Sequence, residues 1–349
     1  MKTIFKRVLT MTILTMTTVS YPCSTMSYKD SNEKVWVAKS YDFSNGSGYV
    51  FINKKNIRKK SFTLDWSFGK SWIAKYGSVT FNQAARNFPF SGMNSEGLNM
   101  EIMWLDSTRY PEETNGSTIN ESQIIQYVLD SAASTEEAIA LISDISIVPI
   151  MAPVHYMVCD KTDDCRAVEY LRGELVVTKM GEGSEKFLQN SKYEDMKDWL
   201  TTSGHSERES SEDVKRIFSN DEYSTEESFV TKSFENLEMV RQGTWTKWQI
   251  VYNLEDQKIW FRTTEKENIR SLDLSDYELD CRKERETLVL NLSTDDEGDI
   301  KDLVRPFTGE VDDYLLQSFE GVPGILRTTV GLYSSMNHRC EKNKKFKKK

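Results

Sequence analysis

The stretch Val19-Ser20-Tyr21-Pro22-Cys23-Ser24-Thr25 joins two unlike parts of the chain. Before it lies Met1-Lys2-Thr3-Ile4-Phe5-Lys6-Arg7, a basic start, and then the mostly apolar, Thr-rich run from Val8 to Val19. That order is the grammar of an export leader, and the run is too short and too polar to span a bilayer. A cut before Cys23 leaves one residue carrying both a thiol and a free α-amine. Ser20-Tyr21-Pro22 is not the small-residue site that a signal peptidase prefers. A two-step route therefore stands beside direct cleavage, in which a cut upstream is followed by self-removal of a short pro-peptide such as Tyr21-Pro22. The Leu-small-small pattern of a lipidated cysteine is missing. A further reading makes Cys23 half of a disulfide.

Composition narrows the class. The 349 residues are 38% apolar and 11% aromatic with a formal charge of −9 at pH 7, enough for a large core and too acidic for a nucleic-acid binder. After the leader no apolar run reaches membrane-spanning length. The mature protein is thus expected to be exported, periplasmic or secreted, and free of the membrane. Cys23, Cys159, Cys165, Cys281 and Cys340 make an odd count, so at least one thiol stays unpaired within a monomer. Cys159-Asp160-Lys161-Thr162-Asp163-Asp164-Cys165 reads as two strand ends around a polar turn, which brings the sulfurs together across a hairpin. A Cys281–Cys340 pair is compatible with this, and the arithmetic then leaves Cys23 free. His155, His205 and His338 are the only histidines, none at zinc-ligand spacing from a cysteine pair, and no metal or cofactor is expected.

The body, 23–340, reads as one strand-rich unit with helical interludes, followed by a basic tail, 341–349, expected to be a solvated end. Val35–Ala38, Gly48–Ile52, Ser78–Phe81, Leu98–Leu105, Tyr156–Val158, Arg166–Tyr170, Glu174–Thr178, Thr246–Tyr252, Lys258–Thr263 and Thr287–Leu292 have strand character. Gly92-Met93-Asn94-Ser95-Glu96-Gly97 is expected to turn. Ser122–Leu129 and Ser134–Ile145 carry apolar residues at helical spacing, the second opened by Ser134-Thr135-Glu136-Glu137. The polar stretch Thr201–Glu212 reads as a loop or insert.

The ordered set Cys23-Ser24-Thr25, Ala38-Lys39-Ser40-Tyr41-Asp42, Asn94-Ser95-Glu96-Gly97-Leu98, His155-Tyr156, Asn190-Ser191 and Thr246-Lys247-Trp248 resembles the choloylglycine hydrolase family. That family holds penicillin V acylases and bile salt hydrolases and belongs to the N-terminal nucleophile (Ntn) hydrolases. Specificity lies in the order of the pieces; each alone is weak. The resemblance implies an α+β fold, a four-layer αββα sandwich of two antiparallel sheets between helical layers, with the first strand delivering the nucleophile.

Amide hydrolysis needs a strong nucleophile, a proton shuttle and an anion-stabilising pocket. An N-terminal Cys supplies the first two, since its α-amine, with an ordinary pKa of about 8, accepts and returns the proton. By position, Asp42 matches the acidic residue that orients this amine. Lys39 stands where most members have Arg; as a point charge it favours thiolate but cannot make the bidentate fork. Asn190 matches the Asn whose amide donates to the oxyanion. Trp104 falls where the backbone N–H completes that hole in relatives, leaving its ring to wall a pocket. The last element, an Arg in a Ser-x-x-Arg-Phe context, is met most nearly by Arg216 in Ser211-Glu212-Asp213-Val214-Lys215-Arg216-Ile217-Phe218, while Ser228-Phe229 offers the setting without the Arg.

The function so implied is hydrolysis of a small-molecule acyl amide through a thioester, the candidates being penicillin V, conjugated bile acids and N-acyl homoserine lactones. Trp66, Phe68, Trp72 and Trp104 are candidates for an apolar acyl pocket, with core packing as the other reading. The resemblance also implies a homo-oligomer, a tetramer in relatives, although the span from Asn190 to Arg216 is short beside the assembly loop of many of them. A ligand-binding protein without catalysis on the same fold is the second reading, motivated by Lys39, the unclear Arg and Pro22.

Overall fold

Alternation along Val35–Asp42 shows how the central layers arise. Val35, Val37 and Tyr41 enter one apolar cluster, while Trp36 and Ala38 enter another, on the opposite side of the strand. All eight residues are buried, so this strand has a layer on each face, and period-two side-chain alternation sorts its residues between them. The structure is a computed structural model, and it describes residues 23–63, 69–112, 117–150, 152–201, 217, 225–318, 333 and 338–341. The expected leader, the polar stretch after Thr201, Arg216, Trp66, Phe68 and residues 342–349 lie outside the described residues.

One sheet has seven strands in the order β14 (Phe187–Leu188), β1 (Ser24–Lys29), β2 (Val35–Asp42), β15 (Thr246–Asn253), β16 (Lys258–Thr263), β17 (Arg270–Asp273), β19 (Gly298–Asp299). The other has nine, in the order β13 (Glu174–Lys179), β12 (Cys165–Leu171), β11 (Val154–Asp160), β8 (Leu98–Trp104), β7 (Pro89–Asn94), β6 (Ser78–Asn82), β3 (Tyr49–Asn53), β18 (Leu288–Asn291), β20 (Arg305–Pro306). Pairing is antiparallel apart from the β17–β19 contact. Small ribbons join β21 (Arg339–Cys340), β4 (Ile57–Lys60) and β5 (Ser71–Ile73), and β9 (Thr118–Ile119) with β10 (Ser146–Ile147).

The main core lies between the two large sheets. Val35, Val37, Ile250 and Phe261 from one meet Val50, Val79, Phe81 and Met157 from the other. On the outer face of the nine-stranded sheet, α1 (Gln123–Ser131) and α2 (Thr135–Ser143) cover Leu98, Met100, Ile102 and Val158. On the outer face of the seven-stranded sheet, α3 (Tyr193–Thr201) and α4 (Glu226–Met239) cover Met26, Trp36 and Val251. A further helix, α5 (Gly309–Ser318), packs Val311 and Leu315 on Phe51 and Val289. This is the αββα sandwich, with apolar surface buried at all three layer boundaries.

Local signals account for most boundaries. Ser134 caps α2 by accepting from the Glu137 N–H at 3.3 Å, and Glu137 reaches back to the Ala133 N–H at 2.9 Å, a reciprocal pair that satisfies two orphan donors. The turn expected over Gly92–Gly97 is shorter: β7 runs on through Asn94, and the reversal uses Ser95–Gly97. Gly97 has φ +79°, and a Cβ there would lie 2.3 Å from the Leu254 carbonyl oxygen, so this position admits no side chain. Both disulfides form, Cys159–Cys165 across the β11–β12 hairpin and Cys281–Cys340 beside β21. Trp72 is not a pocket residue. Its ring packs 5.3 Å from Tyr127, and its Nε1 donates to Asp130 Oδ2 at 2.7 Å under α1, where the buried indole N–H finds its acceptor.

Candidate active site

Cys23 immediately precedes β1 and is 6% exposed. It is the free cysteine among the described residues. Its Sγ accepts from the Asp42 N–H at 3.3 Å and lies 3.5 Å from the Asp42 carbonyl oxygen. The β1–β2 register, Ser24↔Ser40 to Lys29↔Val35, aligns the start of β1 with the end of β2. That alignment brings Asp42 to Cys23. The Asp42 carboxylate accepts from Thr246, just ahead of the irregularity between Thr246 and Trp248 in the β2–β15 pairing, and from Ser40 Oγ at 3.4 Å.

Lys39 follows the parity of Val37 and Tyr41 and points between the sheets, fully buried. Its Nζ donates to the Ile102 carbonyl at 2.6 Å and to Thr25 Oγ1 at 3.2 Å. Thr25 in turn contacts Met103 Sδ at 3.1 Å, so Lys39 and Thr25 tie β1 and β2 to β8 across the core. A carbonyl and a hydroxyl thus supply the hydrogen-bond partners that a buried polar group needs.

Asn190 comes next. β14 pairs with β1 through Thr25↔Leu188 and Met26↔Phe187. Gln189 Nε2 donates to Ser24 Oγ at 3.2 Å, which carries the pairing one residue further. Continued once more, beyond the last residue of β14, that register would set Asn190 opposite Cys23. An edge strand of only two residues thus brings a distant part of the chain beside β1.

Trp104 ends β8, partly exposed, and its Nε1 donates to Asp106 Oδ1 at 2.5 Å. Its parity is that of Leu98, Met100 and Ile102 on the helix-covered face, so the ring lies on the side of the sheet away from Cys23. Trp104 pairs with Val154, and the Leu105 N–H bonds to Pro153 O at 3.0 Å on that same β11 side. Alternation therefore turns the Trp104 N–H toward β7, beyond the last β7–β8 pair, Ser91↔Glu101. Arg216 lies outside the described residues. The next described residue, Ile217, packs against α4, and Ser228 completes the capping box of that helix.

Burial reverses the expected ionisation of the nucleophile. Lys39 pulls the thiol down as anticipated, but desolvation is larger and the Asp42 carboxylate opposes it, so Cys23 is raised from 9.0 to about 11. This holds for the chain in which Cys23 remains joined to Pro22. The neighbouring charge is legible in the sequence and the burial is not, and burial wins because it acts on the thiolate itself.

Glu101 and the place of His155 do not stand out along the sequence. Glu101 sits on β8 with the parity of Met103, facing the other sheet, and accepts from Ser91 Oγ and Asn99 Nδ2, both at 2.8 Å. Burial raises it from 4.5 to about 7, with Lys39 opposing. Its signal is the alternation Leu98-Asn99-Met100-Glu101-Ile102, which reads as a solvated polar face unless a second sheet covers it. His155, fully buried, presents Nε2 to the Gln189 carbonyl at 2.8 Å and Nδ1 to Glu169 Oε1 at 3.3 Å. No group of three or more His, Cys, Asp or Glu among the described residues is placed to hold a metal.

Comparison with known proteins bears on the family and the fold. The family model of the linear amide C-N hydrolases, choloylglycine hydrolase family, matches residues 23–196, beginning at Cys23. A penicillin V acylase of Pectobacterium atrosepticum is 22% identical over 178 residues, a match that spans about half of each protein, 46% of this chain and 47% of the other. Among solved structures, penicillin V acylase from Agrobacterium tumefaciens superposes with a TM-score of 0.72 at 19% identity, covering 82% of this chain and 98% of that one. A conjugated bile acid hydrolase variant from Clostridium perfringens gives 0.57 at 16% identity, covering 74% and 94%. Both likenesses are of fold, and both proteins carry the Ntn-hydrolase sandwich. With the family model starting at the buried thiol and the sandwich shared with these hydrolases, this chain belongs to the linear amide C-N hydrolases of the choloylglycine hydrolase family.

Proposed function

We propose that the chain is an exported amidase that hydrolyses a small-molecule acyl amide with Cys23 as an N-terminal nucleophile. The observation that carries this reading is the Asp42 backbone on the Cys23 sulfur, supported by the β1–β14 register and the Gln189–Ser24 bond that lead toward Asn190. Release of residues 1–22 frees the Cys23 amine beside Asp42. The neutral amine is then a base next to the thiol that burial holds near 11 in the joined chain, and the ammonium formed when it takes the thiol proton stabilises the thiolate.

In this reading the sulfur attacks the amide carbonyl while its proton passes to the α-amine, which then delivers it to the departing amine. The Asn190 carboxamide and the Trp104 N–H face the carbonyl oxygen as it gains charge. Water, giving a proton to the now neutral α-amine, attacks the resulting thioester; the C–S bond breaks, the acid leaves and the sulfur recovers the proton. Lys39 holds a positive charge behind the site. Penicillin V is the first substrate to test, given the acylases among the relatives; conjugated bile acids and N-acyl homoserine lactones come after it. Arg216, export to the periplasm or medium and homo-oligomerisation belong to the same proposal.

N-terminal sequencing and intact mass of exported protein test it. The expected mature chain starts at Cys23, and its alkylation by iodoacetamide abolishes penicillin V hydrolysis. An active protein that starts at Tyr21, or one fully active after complete alkylation of Cys23, overturns the mechanism. The high thiol value in the joined chain favours a second reading, a ligand-binding protein without turnover; a secreted chain that retains Pro22 and binds penicillin V unchanged would establish it.

A further inference from the structure

His155 belongs to the residue pattern that identified the family, yet the mechanism gives it no task. It lies on β11, and the β11–β12 register, Tyr156↔Val168, sets Glu169 directly across from it. Tyr156 and Val168 face the helices, so His155 and Glu169 face the other sheet, 0% and 2% exposed. Two ionisable side chains in a dry space cost free energy unless their polar atoms are used. Here they are used on one short segment.

His155 Nε2 lies 2.8 Å from the Gln189 carbonyl oxygen, which can only accept, so this nitrogen carries a hydrogen. Glu169 Oε1 faces His155 Nδ1 at 3.3 Å and also accepts from the Tyr193 N–H at 3.1 Å, at the first residue of α3. The pair thus grips Gln189 and Tyr193, the two sides of the turn that contains Asn190. A third tie, Gln189 Nε2 to Ser24 Oγ at 3.2 Å, anchors the same segment to β1. β14 contributes only two residues to the ladder, too little to orient the turn beyond it.

We propose that His155 and Glu169 are positioning residues that hold the Asn190 carboxamide opposite Cys23, through the Gln189 carbonyl on one side and the Tyr193 N–H on the other. The inference rests on the reading of Asn190 as an oxyanion donor and adds the device that places it. A donor held loosely by a turn loses much of its effect, because the stabilisation depends on geometry set before charge develops.

A double-mutant cycle on the mature, Cys23-starting protein with penicillin V tests it. His155→Ala should lower kcat by roughly 30-fold or more with KM changed by less than about threefold, as expected for an interaction made in the transition state. Cys23 alkylation should keep its rate, and His155→Gln, which retains an N–H for the Gln189 carbonyl, should recover part of the loss. In an Asn190→Ala background, His155→Ala should change kcat by less than about threefold, because the group it positions is gone. A full, additive loss in that background overturns the proposal, as does unaltered turnover of His155→Ala.

Amide hydrogen exchange on His155→Gln and Glu169→Gln gives a readout that does not depend on turnover. Exchange at residues 190–193 should quicken by about tenfold while the β11–β12 ladder stays protected. Unchanged exchange there overturns the brace even if the protein cleaves no amide. Loss of all amide hydrolysis in the unsubstituted protein, with faster exchange in the variants, fails the catalytic reading alone.

Discussion

The two faces of the nine-stranded sheet are equally dry and chemically opposite. Toward α1 and α2 it shows Leu98, Met100, Ile102, Tyr156, Val158 and Val168. Toward the other sheet, the same three strands show Asn99, Glu101, His155 and Glu169 among Met103, Met157 and Ala167. Residue-by-residue alternation delivers both sets from one backbone. The helix-covered face holds the fold together by apolar burial, whereas the inner face carries groups whose desolvation works against stability. Such groups persist where fixed dipoles and charges serve a site, and on this sheet His155 and Glu169 bond to the segment from Gln189 to Tyr193.

The contrast between the faces is tested most severely at the nucleophile. Cys23→Ala should abolish hydrolysis while the protein keeps its fold, since among the described residues the thiol makes two contacts near hydrogen-bond length, both with Asp42; residual turnover above background in a kinetic assay of mature protein would end the assignment. Next in size is Asn190→Ala, expected to lower kcat by roughly a hundredfold with melting temperature nearly unchanged, the effect of losing one oxyanion donor. Near-full turnover there would shift the chemistry away from the β14 edge.

Substitution on the helix-covered face should behave in the opposite way. Ile102→Ala removes a buried side chain under α1 and should cost about 2–4 kcal/mol in denaturant unfolding, with kcat per folded molecule unchanged. A large loss of kcat without loss of stability would show that the two faces do not divide the work.

Glu101 sharpens the contrast through pH. Burial raises it from 4.5 to about 7, so the folded state holds its proton where the unfolded state has lost it. Below about pH 4.5 the group contributes nothing to stability; between that and pH 7 stability falls, and above pH 7 the cost is constant at up to about 3 kcal/mol. Glu101→Gln should therefore raise the melting temperature at pH 8 and leave it unchanged at pH 4. A gain at pH 4 as large as that at pH 8 would mean that ionisation is not the cause.

Much of this is readable along the chain. β2, β8, β15 and β16 are legible from their branched and aromatic runs, α2 from its Ser134 start, and the Cys159–Cys165 pair from its hairpin spacing, because each signal is local. α4 is hidden, although Phe229, Val230, Phe234 and Leu237 recur at helical spacing. Its Thr225 cap closes with Ser228 in place of the usual Glu or Gln, and the many charged residues between mask the apolar stripe. Trp72 reads in sequence as a candidate for the acyl pocket because aromaticity alone does not say which layer a ring enters.

By itself the sequence determined the strand character of β2, β8, β15 and β16, the start of the second helix, the cysteine arithmetic and the ordered residues that mark the family. These depend on neighbours a few positions away, or on a pattern that order alone preserves. Tertiary structure decided that β14 and Gln189 lie against β1, that Glu101 and His155 are buried and not solvated, and that the Cys23 thiol is raised by desolvation in spite of Lys39. Each of these depends on what a second sheet places over the residue, and the strength of a charge or a hydrogen bond is set by that covering as much as by the group itself.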